Sequence, residues 1–433
     1  MVDRLLELAR RQAQAAEVYL EESEERPIEF ENNQLKYVNA KSRRALSLRV
    51  IHEGRLGFAS TTDFAQPERL VERALESARF GQEAKFEFPS PASFADVAVY
   101  DQRVADFAVE RGIELGRDAI AAVLAEYPDV QCGAEVAKWV GRTHIANTSG
   151  LDAASELTGF DCGLNALRVR DGGILWVGED DSSRSLVPDF ERYVAKVVSD
   201  IRRSETECDG PNGALPVLFT AKAVALLLQM LEVAINGKLV QKGASPLVGK
   251  LGEKIADERI VLSDDGTCDY GDGSTVFDGD GLATRRTPLL DRGVLANYLF
   301  DLQTAGMVGA ESTGNAKRSF ASMPQPSATN LVLEPGTDRF DDMLGGIESG
   351  LLVDEVLGGG QSNVLAGEFS VNVGLGFLVE NGQIVGRVKD CMAAGNIFEI
   401  FNRIRGIGDT QETHGQTVTP PICFDAVHVA GAE

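Results

Sequence analysis

Strand-like and helix-like segments follow one another along this chain in mixed order, without the regular strand–helix–strand alternation that builds a parallel sheet. That restricts the fold to the α+β class. Leucines at helical spacing predict a helix over residues 3–16. Short strand candidates follow at Ala16–Glu22, Ile28–Glu31, Leu35–Asn39, Ala45–His52 and Leu56–Ser60. Asn32-Asn33 and Glu53-Gly54 divide them as turns, which predicts an antiparallel meander. A helix is expected over Gln66–Phe80, capped by Thr62 or Asp63, and a Pro/Ser-rich linker over Phe88–Ser93. Helices over Val109–Glu126 and Phe190–Ser204 bracket further strands, giving an N-terminal mixed sheet with helices. The polar, turn-forming stretch Glu205–Ala214 is the strongest boundary signal. Beyond it the pattern is mostly β-like, interrupted by helix candidates at Tyr298–Val308, Phe340–Leu344 and Asn396–Ile404. The expected organisation is an N-terminal α+β region over 1–90, a central α+β region continuing it over 91–208, and a C-terminal β-rich domain over 214–433.

At 433 residues the chain exceeds what one hydrophobic core normally supports. Its formal charge of −24 repels phosphate backbones, and its basic clusters are only pairs such as Arg202-Arg203 and Arg285-Arg286. No nucleic acid is therefore expected as a partner. The six cysteines are widely spaced with no C-x-x-C pair, the usage of a reducing compartment. No segment has the ~20 apolar residues that cross a bilayer, so no membrane partner is expected and the cytoplasm is the expected location.

The second half carries a series of local motifs. A run from Val276 to Tyr298 is followed by Ser312-Thr-Gly-Asn-Ala-Lys-Arg318 and Pro326-Ser-Ala-Thr-Asn-Leu331. Then come Gly367-Glu-Phe-Ser-Val-Asn-Val-Gly-Leu-Gly-Phe377, Glu380-Asn-Gly382 and Ala394-Gly-Asn396. In order and spacing this series resembles the TldD/PmbA family, also called TldD/TldE or "modulator of DNA gyrase" proteins. The likeness is specific over about 214–433 and looser before that. It implies a barrel-like C-terminal domain.

One branch of that family is a zinc peptidase with HExxxH on a helix, and the PmbA (TldE) branch lacks the motif. The helix in question here is Thr220–Asn236, and it contains no histidine. The resemblance places the two histidine positions at Leu228 and Val233 and the glutamate at Gln229. None of these side chains is a usual zinc ligand. No catalytic residue and no metal ligand is therefore assigned to this chain. The implied role is that of a non-catalytic PmbA/TldE-like subunit in a metallopeptidase complex acting on unfolded peptides, as in peptide maturation or antitoxin degradation. Zinc is expected in a TldD-like catalytic partner, with which this chain forms a heterodimer; in isolation it forms a homodimer. The resemblance also implies a peptide cavity along the 367–377 strand, with Phe369, Ser370, Gly374, Gly376 and Asn396 as candidate lining.

Two other readings stay open. One is an active metallopeptidase with an atypical site built on His414 with Cys391 or Cys423. The other is a stand-alone homodimeric peptide-binding protein. Of the four histidines, His52 runs into a turn and His144 has no ligand-type neighbour. Cys423 and His428, five apart on a strand, point to opposite faces. The aspartates at 264, 265, 269, 272, 278 and 280 do not match a calcium-loop spacing and read as turn formers.

Overall fold

The computed structural model describes residues 1–170, 173–358 and 362–431. Its first part runs α1 (Val2–Arg10), β1 (Ala15–Glu31), β2 (Gln34–Val38), β3 (Lys41–His52), β4 (Arg55–Thr61) and α2 (Pro67–Ala78). It continues through α3 (Gln102–Ala105), α4 (Val109–Glu126), β5 (Gln131–Asn147), β6 (Asp152–Arg170), β7 (Gly173–Ser183) and α5 (Phe190–Arg203). The strands form one sheet in the order β4-β3-β1-β5-β6-β7, with β2 paired to β1. Every pairing is antiparallel, so strands and helices are mixed but strand directions are not.

Several elements are longer or shorter than the sequence suggests. The first helix ends at Arg10 rather than 16, because Ala16 and Val18 are needed inside as strand residues. The two candidates Ala16–Glu22 and Ile28–Glu31 are a single strand that passes through Pro27. Proline cannot donate a ladder bond. It is tolerated here because one edge of β1 changes partner at that point, from β3 (ending at Glu25↔Lys41) to β2 (starting at Ile28↔Val38). The Glu53-Gly54 and Asn381-Gly382 pairs have positive φ at both residues, as tight hairpin turns require.

The second part begins with β8 (Glu207–Asp209), β9 (Gly213–Phe219), α6 (Ala221–Ile235), α7 (Gly237–Gln241), β10 (Leu262–Asp265), β11 (Arg286–Asp291) and β12 (Val294–Leu295). Next are α8 (Leu302–Val308), β13 (Ala316–Lys317), β14 (Gln325–Pro326), β15 (Leu331–Leu333), α9 (Phe340–Gly345), β16 (Ser349–Leu357), β17 (Glu368–Glu380) and β18 (Gln383–Lys389). The last elements are β19 (Met392–Asn396), α10 (Ile397–Ile400), β20 (Ile404–Ile407), β21 (Glu412–His414), β22 (Thr417–Thr419) and β23 (Ile422–Ala430). The order β16-β9-β23-β19-β17 returns to β16 through a β16–β17 pairing, which closes a barrel of five strands. The helix candidate Asn396–Ile404 shrinks to the single turn of α10, since 404–407 pair with β23 instead.

Barrel strands feed two cores by the period-2 rule. Val217, Phe219, Leu351, Val353, Ile422 and Phe424 pack with α6 in one. Their alternate neighbours Leu218, Leu352 and Cys423 join Ile120 and Val123 of α4 and Tyr193 and Val197 of α5 in the other. The barrel wall is thus the shared partner of α6 on one side and the N-terminal helices on the other.

Candidate functional site

Helix α6 starts at Thr220, whose hydroxyl accepts from the Ala223 N–H, and ends where Asn236 caps α7 through the Lys238 N–H. Apolar residues lie almost all round it, as expected of a helix pressed between a barrel and other cover. Its polar residues fall on one stripe, Lys222, Gln229, Glu232 and Asn236. At the last three positions, together with Val233, the stripe faces a cavity of about 590 Å³. The opposite wall comes from Pro326–Ala328 and from His414–Thr417.

Of the positions aligned with the zinc motif, Gln229 and Val233 line this cavity, whereas Leu228 is fully buried in the core. Glu232, which motif reasoning passed over, is the α6 carboxylate facing the cavity, and Asp272 is also in the lining. It accepts the Ala328 N–H at 3.1 Å and the Ser327 hydroxyl at 3.5 Å, so it fastens the facing segment to the helix. The polar stripe of α6 was the sequence signal that could have found it. Zinc does not fit at the motif positions: a core leucine, an amide and a valine occupy them, Glu232 is committed to the facing segment, and Asp272 and His414 in the same lining do not complete a ligand group with it.

His414 stands between this cavity and a second one of about 220 Å³ under α5. Its Nε2 lies 3.4 Å from Glu412, and hydrogen bonding to His414 holds the Glu412 carboxyl below its usual value. The other carboxylates of the second cavity are engaged by cations: Lys196 bridges Asp200 (2.6 Å) and Asp354 (2.8 Å), and Arg192 pairs with Glu179 (2.7 Å). Cys391 and Cys423 are in the cores, and burial pushes both thiols up to about 11. Among the described residues no group of three His, Cys, Asp or Glu side chains is placed to hold a metal ion. The structure does not bring His414 and either cysteine together in such a group.

The five candidates on and beside the 367–377 strand lie elsewhere, and none lines either cavity flanking α6. Phe369 is a core residue. Ser370 exchanges hydrogen bonds with the Ser362 hydroxyl. A Cβ on Gly374 would meet Leu357 at 2.7 Å, and one on Gly376 would run into Val373. Asn396 caps α10 by accepting from Phe398 N–H and donates to the Ala366 carbonyl. These positions serve strand packing and capping.

The motif segments 312–318 and 326–331 meet around Asp264. Its carboxylate accepts from Asn315 Nδ2 (2.5 Å), Thr329 N–H (2.6 Å) and the Thr329 hydroxyl (2.9 Å). Burial holds this carboxyl up at about 6. Arg318 extends to the N-terminal sheet, donating to Glu17 at 2.7 Å and Ser47 at 3.0 Å. A buried cluster completes the joint: Arg49 donates to Glu17 at 3.2 and 3.0 Å and pairs with Asp280 at 2.7 Å. Asp280, one of the aspartates read as turn formers, is therefore also an ion-pair partner 231 positions from Arg49, which local patterns cannot show.

Comparison with known proteins decides the family. Residues 212–431 match the model of the PmbA/TldA metallopeptidase C-terminal domain, and residues 16–78 match that of PmbA/TldA metallopeptidase domain 1. The chain belongs to the PmbA/TldD family. Within it, the fold superposes on the crystal structure of TldE from Thermococcus kodakarensis with a TM-score of 0.91 and 25% identity, covering 99% of each chain. Metalloprotease PmbA of Escherichia coli O157:H7 is 24% identical over 99% of this chain and 95% of its own length. A metalloprotease TldD homologue of Haemophilus influenzae is 30% identical, but over only 47% of this chain and 42% of its own length. This PmbA/TldD-family chain thus carries a five-stranded barrel and a cavity-facing helix that has leucine and valine where the resemblance expects imidazoles and an amide where it expects glutamate.

Proposed function

We propose that this chain is the non-catalytic, PmbA/TldE-like subunit of a TldD/TldE-type zinc metalloprotease, and that it walls a chamber admitting unfolded peptides. One observation carries the reading: the cavity face of α6 offers Gln229, Glu232, Val233 and Asn236, with no imidazole and with its one carboxylate already bonded to the facing segment. Near-full-length likeness to PmbA and TldE, against a half-length match to a TldD homologue, supports the same branch. A cavity of about 590 Å³ is in the range of small-ligand sites. It has room for a few extended residues and none for a folded domain. The zinc and the hydrolytic chemistry then belong to a TldD-like partner, with the cytoplasm as the setting.

The test is elemental analysis of tag-free protein purified alone, followed by mixing with a TldD-like chain. The expected result is substoichiometric zinc, unchanged by His414→Ala, with no cleavage of a denatured casein substrate alone and cleavage after mixing. One tightly held zinc per chain, lost with His414→Ala, would overturn the proposal in favour of an atypical metallopeptidase. Peptide binding alone, with no gain on mixing, would favour the stand-alone binding protein.

A further inference from the structure

Beside the large cavity lies a smaller one of about 170 Å³, walled by Tyr19, Arg184, Asn315, Arg318, Thr329 and Gln416 among others. The two share Ser327, Ala328 and Gln416, and the adjacent residues Asp272 and Gly273 line one each. A ligand extended along the first therefore has the second as its next compartment.

Two guanidiniums border this compartment, and they differ in their commitments. Arg318 is used: it bonds Glu17 and Ser47 and lies 4.5 Å over the Tyr19 ring, although its buried Nε, like that of Arg184, has no partner. Arg184 has no ion pair among the described residues. Its single side-chain hydrogen bond runs from Nη1 to the Thr158 carbonyl at 3.5 Å, and its buried Nε has no partner. Burial depresses its pKa, with Asp272 and Asp161 only partly offsetting this from a distance. Such a half-buried cation lacks the compensation that buried charges normally find.

The position is nonetheless built with care. Trp139 on β5 pairs with Gly159 on β6, and a Cβ on Gly159 would fall on the indole nitrogen, so the ring lies flat on the glycine. Arg184 sits 4.8 Å above that ring. Its backbone is pinned by N–H to Tyr270 (3.1 Å) and by the Thr158 hydroxyl to its carbonyl (2.6 Å). On the same wall Asn315, 2% exposed, presents an Oδ1 with no donor. Asp278, the carboxylate on this wall, accepts the N–H groups of Asp280, Leu282 and Ala316. A planar cation without an ion pair, lining the same compartment as an unpaired amide acceptor, is complementary to a carboxylate and the N–H of the residue that carries it.

We propose that Arg184 anchors the C-terminal carboxylate of a peptide lying in the chamber, with Asn315 Oδ1 receiving the N–H of its last residue. This rests on the chamber reading above. It makes the subunit a reader of free peptide ends.

Trp139 supplies the readout, since Trp176 is the only other tryptophan. In a Trp176→Phe background, the full chain is titrated with four probes followed by Trp139 fluorescence. These are Gly-Val-Ser-Ala-Ala as free acid, the same peptide as C-terminal amide, the amide with Glu as its last residue, and sodium acetate. The free acid should bind at least about tenfold tighter than either amide. Arg184→Gln, confirmed folded by its thermal melt, should lose that preference and keep the amide affinity. Acid and amide binding equally would overturn the anchor and leave the chamber standing. A Glu-ended amide matching the free acid would overturn the terminus assignment. Acetate shifting Trp139 in the wild type but not in Arg184→Gln, with no peptide bound, would sink the chamber reading and the peptide anchor, leaving a carboxylate site. No response to any probe would overturn both.

Discussion

Replacing Arg49 by methionine should be among the most damaging single changes in this protein. The residue is 2% exposed, and its side chain spans the joint between the N-terminal sheet and the 278–282 turn. Burial works against its charge, but Glu17 and then Asp280 outweigh that and raise its pKa. Methionine keeps much of the volume against Phe86 and Phe88, whose rings each lie 5.1 Å from the guanidinium carbon. The charge is what is lost. Glu17 retains Arg318 at 2.7 Å, and Asp280 Oδ2 still accepts the Leu302 N–H at 2.9 Å. Asp280 Oδ1 is left with no partner, so the cost is that of one buried carboxylate stripped of its cation, about 3–5 kcal/mol. Urea unfolding read by tryptophan fluorescence and by far-UV circular dichroism measures it, and coincidence of the two probes licenses the free-energy comparison. Arg49→Met combined with Asp280→Asn should be more stable than Arg49→Met alone, because it removes the stranded charge. A loss below about 1 kcal/mol, or a double variant that merely sums two losses, would refute the reasoning.

Three further outcomes follow. Leu228→Ala should cost about 2–5 kcal/mol in urea and leave zinc content unchanged, since that position faces the core. Asp264, held up at about 6 by burial, binds its proton more tightly folded than unfolded. Its stabilising share is full below about pH 4 and falls away as pH rises through 6, by about 3 kcal/mol in all. Relative to wild type, Asp264→Asn should therefore gain stability from pH 4 to pH 7 in urea midpoints, and a constant difference would count against the buried carboxyl. Gly159→Ala should displace the Trp139 ring and shift its emission, with destabilisation of about 1–3 kcal/mol from overpacking.

What could be read from the sequence was what is local. The Asn381-Gly382 turn was legible because two successive positive φ values demand those residue types, and α4 because its apolar period is uninterrupted. The length of β1 was not, since Pro27 punctuates a strand unless one knows that its neighbour changes there. The histidine-free helix was legible as such, but not its orientation: apolar residues on nearly every side of α6 obscure which positions meet the cavity. Arg184 and Asn315 lie 131 residues apart and share a compartment only through tertiary structure.

The barrel's double-sided wall has a consequence for how the chain is made. Cys423 on β23 belongs to the core that covers α4 and α5, and β23 lies between β9 and β19 in the closed ring. The N-terminal helices leave the ribosome with α5 complete at Arg203, yet the strand that completes their cover ends at Ala430. At translation speeds of about 5–20 residues per second, their apolar faces wait roughly 10–45 s for it. During synthesis this is a protein whose first half depends on its last strand, and nascent-chain chaperones have that interval in which to hold it.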